Sequence, residues 1–556
     1  MSHQIDRRSF LAGTVAAGAG GLLAACGSSS GSTSSTASGP RDGVTSATPK
    51  RGGTLVFGNE AEINSFDPAA GRWDESGINY ARTVYDPLTI IDAAGNVQPY
   101  LAQSVTPNGN YTQWTIKVRP GVRFHDGTTC DAAAIAGSMN HFKSGELGLV
   151  STQPIQSITT SDPTTVLVNL NQPWVPFDKY LAGGIGGQIG YIVAPAMVQQ
   201  ISANPNAQVT PIGTGPFKFS QWTPNDHFTA VRNQDYWRTG LPYLDAITWR
   251  PIPDATQRAS SLQSGNIDMM HTDVAEVILE FQNADQYGYI DDLGSVVGQP
   301  DMDFTMLNLK AAPFTDLRVR QACAMAINTE QYKAIINKNL NPISNQPFVP
   351  GTPFYAPVSY PSFNPSQAKS LVQQVARDTS KPVSFVYGST TDPAAVQAAQ
   401  LVQTNFTAVG MQVQLQQFQQ DDLINNALAG KFQAVEWRQF AAVDPDLNYL
   451  FWSPTTIFGP PLNIASNFAR NTDPQVETLL QQGRRSTDPS ARALAYQNLA
   501  ERFAKDLAYL WTDRAVWAIV TQSKVQNWNN PTTPAGTKAY GMIVGTVWPT
   551  QIWVEA

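Results

Sequence analysis

The residues able to do chemistry are few and poorly placed for catalysis. The five histidines, His3, His125, His141, His227 and His271, form no His-Glu-x-x-His pair, and none sits near a cysteine at zinc-binding spacing. No Gly-x-Ser-x-Gly elbow, phosphate-binding Lys-Ser/Thr loop or dinucleotide fingerprint occurs, so nucleophilic, metal-assisted and nucleotide chemistry all lack their usual carriers. Gly213-Thr214-Gly215 is the nearest approach to a glycine loop and reads as a turn entering a strand at Phe217–Phe219. His125, within Phe124-His125-Asp126-Gly127, pairs a base with a carboxylate, but an Asp-Gly step after an aromatic is turn chemistry. These absences argue against an enzyme, a metal site or a cofactor, and leave binding as the expected activity.

One cysteine does sit in a chemically defined setting. Arg7-Arg8-Ser9-Phe10-Leu11 precedes an Ala/Gly/Leu run ending at Leu23-Ala24-Ala25-Cys26, the order of a basic region, an apolar stretch and a small-residue cleavage site. The uncharged run is only about as long as the shortest membrane spans and is diluted with Gly and Ala. It resembles a twin-arginine export signal with a lipoprotein box, which implies a signal peptide over 1–25 and lipid attachment at Cys26. Residues 26–50 are rich in Ser, Gly and Thr, a composition expected to give a flexible tether.

The elements that must position a site follow from Arg51 onward. About 500 residues exceed one compact core, so two or more packed domains are expected. With 42% apolar and 14% charged residues the body is globular. Net charge is −7, and loss of residues 1–25, which carry one net positive charge, leaves −8. That balance excludes a phosphate-neutralising basic surface and with it nucleic-acid binding. Cys130 and Cys323 fall in different expected domains and are read as buried free thiols rather than a disulfide.

Trp114, Ile116 and Val118 alternate with polar residues as a half-buried strand does. Val319, Ala322, Cys323, Ala326 and Ile327 lie at helical spacing behind Thr315, the expected N-cap. Val396, Ala399, Val402, Phe406 and Val409 repeat that stripe up to Gly410, after which Val413 and Leu415 alternate as a strand. Helix, glycine and strand in this order predict an α/β fold.

Segments spread along the mature chain carry a family resemblance: Arg51-Gly52-Gly53-Thr54-Leu55, Tyr85-Asp86-Pro87-Leu88, Arg119-Pro120-Gly121-Val122-Arg123-Phe124-His125-Asp126-Gly127, Gly213-Thr214-Gly215-Pro216-Phe217, Arg232-Asn233-Gln234-Asp235-Tyr236-Trp237, and Pro313-Phe314-Thr315-Asp316 before Val319-Arg320-Gln321-Ala322. In order and spacing the chain resembles the family 5 extracellular solute-binding proteins, the dipeptide-, oligopeptide- and nickel-binding receptors of ABC importers. The resemblance implies a two-lobed, periplasmic-binding-protein-like α/β fold whose cleft closes on a solute and then docks on a membrane permease. It places lobe I at 51–300, with an inserted subdomain near 90–205, lobe II at 301–520, and a return to lobe I over 521–556. With the lipoprotein box it implies an exported monomer, lipid-anchored through Cys26 at the outer face of the cytoplasmic membrane or in the periplasm.

The same resemblance implies ligand contacts at Glu62, Asn64, Phe66, Asn308, Ser389, Trp437, Arg438, Phe440 and Asp444. Peptide receptors of the family hold the ligand's α-ammonium with an aspartate three residues after the tryptophan, where this chain has Phe440. Where dipeptide receptors use an arginine for the ligand carboxylate, it offers Ser389. An unpaired buried peptide terminus is costly. Two solute readings therefore stand open: peptides held through backbone contacts, or another solute such as an oligosaccharide stacked on some of the 13 tryptophans. A secreted cleft hydrolase is the alternative from another class.

Overall fold

The computed structural model describes residues 41–555 apart from 185, 205–207, 296, 298 and 460–463. The expected signal peptide, Cys26 and most of the expected tether lie outside the described residues. Part of the segment expected to be tether packs on lobe I. Arg41 pairs with Asp285 at 2.6 Å, its carbonyl accepts from Tyr289 N at 2.6 Å, and Gly43, at φ +71°, lies against the Trp528 ring where a Cβ would clash. Polar residues that fill a specific niche escape a compositional reading.

Two sheets organise the fold. The first has seven strands in the order Tyr287–Asp291, Ala518–Gln522, Met269–Thr272, Thr54–Asn59, Ala246–Pro251, His227–Arg232 and Phe217–Thr223. The second has five, in the order Gln412–Phe418, Ser384–Thr390, Ala434–Gln439, Met302–Leu307 and Tyr509–Arg514. Each sheet has a parallel centre: Thr54–Asn59 runs parallel to both Ala246–Pro251 and Met269–Thr272, and Ser384–Thr390 to both Gln412–Phe418 and Ala434–Gln439. Helical crossovers make the parallel pairing in the second sheet: Pro393–Ala408 and Gln420–Ala429 each return the chain to start the next strand.

The chain passes between the sheets twice, once between Asp291 and Met302 and again between Arg514 and Ala518. A return at 521 is therefore corrected: Thr521 lies inside a strand of the first sheet, opposite Met269 and Gly288. The crossings are tied together. Trp517 N donates to Asp292 Oδ1 at 2.9 Å, and Arg514 Nη2 donates to the Ser295 carbonyl at 3.1 Å.

Between the first strand of lobe I and its continuation at 217 stands a four-stranded antiparallel sheet, Ala102–Pro107, Gln113–Val118, Thr165–Leu170 and Ile155–Asp162, covered by the helix Ala132–Ser144. Trp114, Ile116 and Val118 point into its core, and Cys130 is buried there as a free thiol. Cys323, also free, is buried in lobe II.

Local sequence explains most of the helix boundaries. Pro393–Ala408 starts at Asp392, whose carboxylate accepts from Ala394 N and Ala395 N, and is followed by Gly410 at φ +94°. The helix Leu317–Ala326 is capped by Asp316, which accepts from Arg318 N at 2.9 Å, and not by Thr315. The carboxylate is the stronger acceptor for an exposed helix N–H. His125 serves a turn: its Nδ1 accepts from Gly213 N at 3.3 Å, and its other ring nitrogen meets the Gly215 carbonyl at 3.0 Å. Burial pushes its pKa down to about 4, so the ring is neutral.

The inserted sheet is held to lobe II through Trp174, which docks on a buried ion pair of that lobe. Arg484 Nε meets Asp446 Oδ1 at 2.9 Å, both side chains being at most 1% exposed, and Asp446 Oδ2 accepts from Trp174 Nε1 at 2.7 Å. Removing one partner strands the other charge out of water. Asp446→Ala should cost about 3–5 kcal/mol of folding stability, measured by denaturant unfolding. A loss below about 1 kcal/mol would show that Arg484 finds solvent instead.

Candidate ligand-binding cleft

In open α/β sheets ligands gather beyond the carboxyl ends of parallel strands, where helix starts and loops leave polar groups free. Both sheets follow this rule toward a single cavity of about 390 Å³, within the roughly 300–1,000 Å³ range of small-molecule sites. Glu60 follows the strand Thr54–Asn59, Pro253 follows Ala246–Pro251, and Asp273 follows Met269–Thr272. From lobe II come Asp392 after Ser384–Thr390, Gln420 after Gln412–Phe418, and Trp437, Arg438 and Gln439 at the end of Ala434–Gln439.

Arg438 spans the cleft. Its Nη2 lies 3.0 Å from Glu60 and 4.0 Å from Glu75, its Nη1 pairs with Asp273, its Nε lies 3.7 Å from Asp301, and its guanidinium carbon stands 4.6 Å from the centre of the Trp517 ring. Glu60 is further fixed by its backbone, whose N–H donates to His271 Nε2 at 3.0 Å. His271 Nδ1 faces the Gly545 carbonyl at 3.1 Å, which sets the tautomer with the proton on Nδ1. Burial holds that ring near a pKa of about 4, hence neutral. Two further contacts join the lobes at the cleft: Gln420 Nε2 donates to Asp74 Oδ2 at 3.3 Å, and Arg72 pairs with Asn425.

Acid dominates the lining. Glu60, Asp74, Glu75, Asp273, Asp301, Asp303, Asp392 and Glu436 face three arginines, Arg72, Arg258 and Arg438. Three guanidinium groups do not neutralise eight carboxylates. Burial, with repulsion from Glu60, raises Asp74 to about 6. Burial and the adjacent Asp301 hold Glu75 well above the carboxylate range. Burial, with Asp392 and Asp513 nearby, raises Glu436 to about 7. In Glu60 burial is outweighed by Arg438, with His271 and Arg258, and the pKa falls. The lining also has an apolar part, with Leu423, Ile424, Leu428, Phe451 and Phe468 beside Trp437.

The residues expected from sequence are distributed unevenly about this cavity. Trp437 and Arg438 line it, and Trp437 packs against Phe468 with ring centres 5.2 Å apart. Ser389 is buried one residue short of it, its hydroxyl on the Thr390 carbonyl. Asn64 accepts from Arg72 N at 3.0 Å and so supports a lining residue without lining. Glu62 accepts from Trp222 Nε1 at 2.7 Å and Asn225 N at 3.0 Å. Asn308 satisfies the Gly430 and Phe432 carbonyls, a structural task.

Three of the expectations need correction outright. Phe66 is 1% exposed in the core of lobe I. Phe440 is 2% exposed: the backbone leaves the strand at φ +87° and turns the ring into lobe II, stacked on Phe304 at 5.1 Å and against Trp452, Tyr509 and Trp511. A left-handed backbone at a bulky residue is tolerated only where packing repays it. Asp444 is 1% exposed, bound by Lys179 at 2.9 Å and by Arg492, and these cations drop its pKa to about 2 despite burial.

Sequence reasoning passed over the acids. The legible signal was position: a carboxylate directly after a parallel strand at Glu60 and Asp273, and just beyond one at Asp392. Of the 13 tryptophans, only Trp73 and Trp437 line the cavity, which leaves few aromatic faces for stacking sugar rings.

Two lobes joined by two crossings around a cavity that both of them wall define a binding protein of the two-lobed periplasmic type. Residues 96–457 match the family model described as bacterial extracellular solute-binding proteins, family 5 Middle, and the chain belongs to that family. It is 25% identical over 476 residues to the glutathione-binding protein GsiB of Pectobacterium atrosepticum, covering 82% of this chain and 88% of that one. Two similar solved structures are the oligopeptide-binding protein AppA from Bacillus subtilis in complex with a nonapeptide and the periplasmic binding protein DppA from Helicobacter pylori in complex with the peptide STSA. For AppA the TM-score is 0.78 at 20% identity, covering 92% of this chain and 100% of that one. For DppA it is 0.77 at 23%, covering 91% and 99%.

The raised Glu436 makes a stability prediction. A carboxyl whose pKa is higher folded than unfolded lets the folded state hold more protons in between, so stability falls as pH rises from about 4.5 to about 7. His125 and His271, depressed to about 4, act in the opposite sense below pH 6.5. The difference between Glu436→Gln and the parent cancels them. The variant should gain about 1–3 kcal/mol relative to the parent at pH 8 and little at pH 5, read from denaturant midpoints. An equal effect at both values would place Glu436 in contact with water.

Proposed function

We propose that the chain is the substrate-capturing receptor of an ABC importer, exported, anchored by lipid at Cys26, and closing its two lobes around a peptide or peptide-like solute for delivery to a membrane permease. The observation that carries this reading is the cavity between the lobes, walled by both and bridged by Arg438. A site built from two bodies on two crossings changes volume when they rotate, and a ligand touching both favours the closed state by its differential affinity. Peptide comes first because similar proteins are described with glutathione, a nonapeptide and the tetrapeptide STSA. The role needs no reacting group in the cleft.

Small-angle scattering with and without a saturating peptide pool should show a smaller radius of gyration in the bound state. Thermal stability should rise with ligand concentration by mass action, about 2.7 kcal/mol at a hundredfold excess over Kd. Trp437→Ala removes an apolar wall and should weaken binding about tenfold or more at modest cost to folding. An unchanged scattering profile at proven saturation would sink the closure model.

The anchor is tested separately. Cys26→Ser should move the protein from the membrane fraction to the soluble fraction, because the thiol is the only attachment point the lipoprotein box provides. Unchanged membrane association of the variant would locate the anchor elsewhere.

A further inference from the structure

Asp303, Glu436 and Asp513 stand on three neighbouring strands of the lobe II sheet, Met302–Leu307, Ala434–Gln439 and Tyr509–Arg514. Asp303 is directly opposite Asp513 on one side and Arg438 on the other, and Glu436 precedes Arg438 by two residues on the same face. Directly opposed side chains start about 4.5–5.5 Å apart at Cβ, and like charges so placed destabilise a sheet. Arg438, the cation that register offers, is turned instead toward Glu60, Asp273, Glu75 and Asp301. Among the described residues no lysine or arginine forms an ion pair with any of the three acids.

A separate observation comes from an amide. Asn341 lines the cavity at 2% exposure, and its Nδ2 donates to Asp513 Oδ1 at 2.7 Å. With the amide nitrogen donating to Asp513, Oδ1 is directed away from that carboxyl group. Asn341 Oδ1, although buried, has no donor; Asp513 Oδ2 has none from an amide or hydroxyl and lies against Asp303, whose raised pKa lets it share a proton there. Buried acceptors without donors are rare and costly in proteins. The site thus presents acidic acceptors with one spare amide donor, Asn337 Nδ2, and no matching cation.

We propose that Asp303, Glu436 and Asn341, backed by the buried Asp513, receive an ammonium or guanidinium group of the ligand, so that this receptor selects organic cations with an apolar flank. The inference rests on the reading of this cleft as the solute site. An N–H-bearing cation brings donors to the acceptors that line the cavity, and charge-assisted hydrogen bonds are the strong ones. Burial, with Asp513 and Glu436 beside it, holds Asp303 well above the carboxylate range, and a bound cation reverses that shift. The apolar wall of Leu423, Ile424, Phe451, Phe468 and Trp437 lines the same cavity and suits the hydrocarbon of such a ligand. A small metal ion fits less well. Among the described residues, the one set of three acids with oxygens all within 4.8 Å of one another is Glu60, Asp74 and Glu75, the set facing Arg438.

The cation has two sources in a peptide, a basic side chain or the α-ammonium, and matched probes separate them. Calorimetric titration of the mature chain would compare Ala-Arg-Ala with Ala-citrulline-Ala, each with free and acetylated N-terminus, and would include agmatine as a non-peptide cation. We expect the charged member of one pairing to bind about tenfold tighter or more, the pairing naming the source. Glu436→Gln and Asp303→Asn should each abolish that preference. Both variants are near-isosteric and remove a buried charge, and a melting curve checks each fold, so either one decides if the other misfolds. If no peptide binds but agmatine does in a Glu436-dependent way, cation selection stands and the peptide reading falls. Equal binding of charged and neutral partners, persistence of the preference in a folded variant, or failure of every cation in the panel to bind would overturn the inference.

Discussion

A single guanidinium faces four carboxylates at the centre of this molecule. Arg438 sits at the end of a lobe II strand, Glu60, Glu75 and Asp273 belong to lobe I, and Asp301 lies where the chain passes from one to the other. Coulomb attraction at these distances grows as water is excluded, so the contact favours approach of the lobes and weakens when they part. Four acids against one base also leave an excess of negative charge that burial makes expensive. The protein answers by keeping protons on some of the carboxyls, Glu75 most clearly. Charge balance in the cleft, lobe approach and proton content are therefore one coupled quantity.

That coupling needs lobes that move as bodies. Behind the cleft, lobe II is packed with interlocking rings: Phe304, Phe440, Trp452, Tyr509 and Trp511 lie within 5.1–6.1 Å of Phe440 or of one another. Close-packed interiors transmit displacement rather than absorb it. Compliance is left to the two crossings, where Asp292 ties the segments by accepting from Trp517 N and where burial raises its own pKa to about 7. The inserted sheet is not a free passenger. Trp174, Lys179 and Tyr180 grip Asp444, Asp446 and Arg484 of lobe II, so relative motion of the lobes must either carry that sheet along or slide along this polar seam.

The alternation in Trp114–Val118 and the helical stripe ending at Gly410 were readable because they depend on local period and on one glycine conformation. The two-lobed plan came through the resemblance, since no local rule says that Ala518–Gln522 should return to a sheet built mostly before residue 300. The site was legible in part. Trp437 and Arg438 sit where the family pattern put them, at a strand end, but Phe440 does not face the ligand space. A positive φ turns it inward, and a backbone dihedral leaves no trace in residue type when the residue is not glycine. Thr315 and Asp316 show the same limit at smaller scale, two good capping residues in succession with only geometry to choose between them. The acids were visible as letters. Their convergence required knowing that two sheets point their carboxyl ends at one cavity.

This convergence gives Phe440 and Glu436 a common explanation. In the peptide receptors the chain resembles, an aspartate at the position of Phe440 would meet an ammonium; here an aromatic residue there completes a hydrophobic cluster, and the negative charge stands four residues earlier and one strand across. Moving a carboxylate from the strand's end into its ladder, at Glu436 and Asp303, surrounds it with sheet rather than solvent and raises the cost of leaving it unpaired. That cost is borne by the ligand-free protein as retained protons and unmet acceptors, and it is relieved only by a group that brings donors and positive charge together. Neutral solutes of the same shape leave the penalty in place. Specificity of this kind comes from what the empty site lacks, as a difference between partners rather than as raw affinity for one.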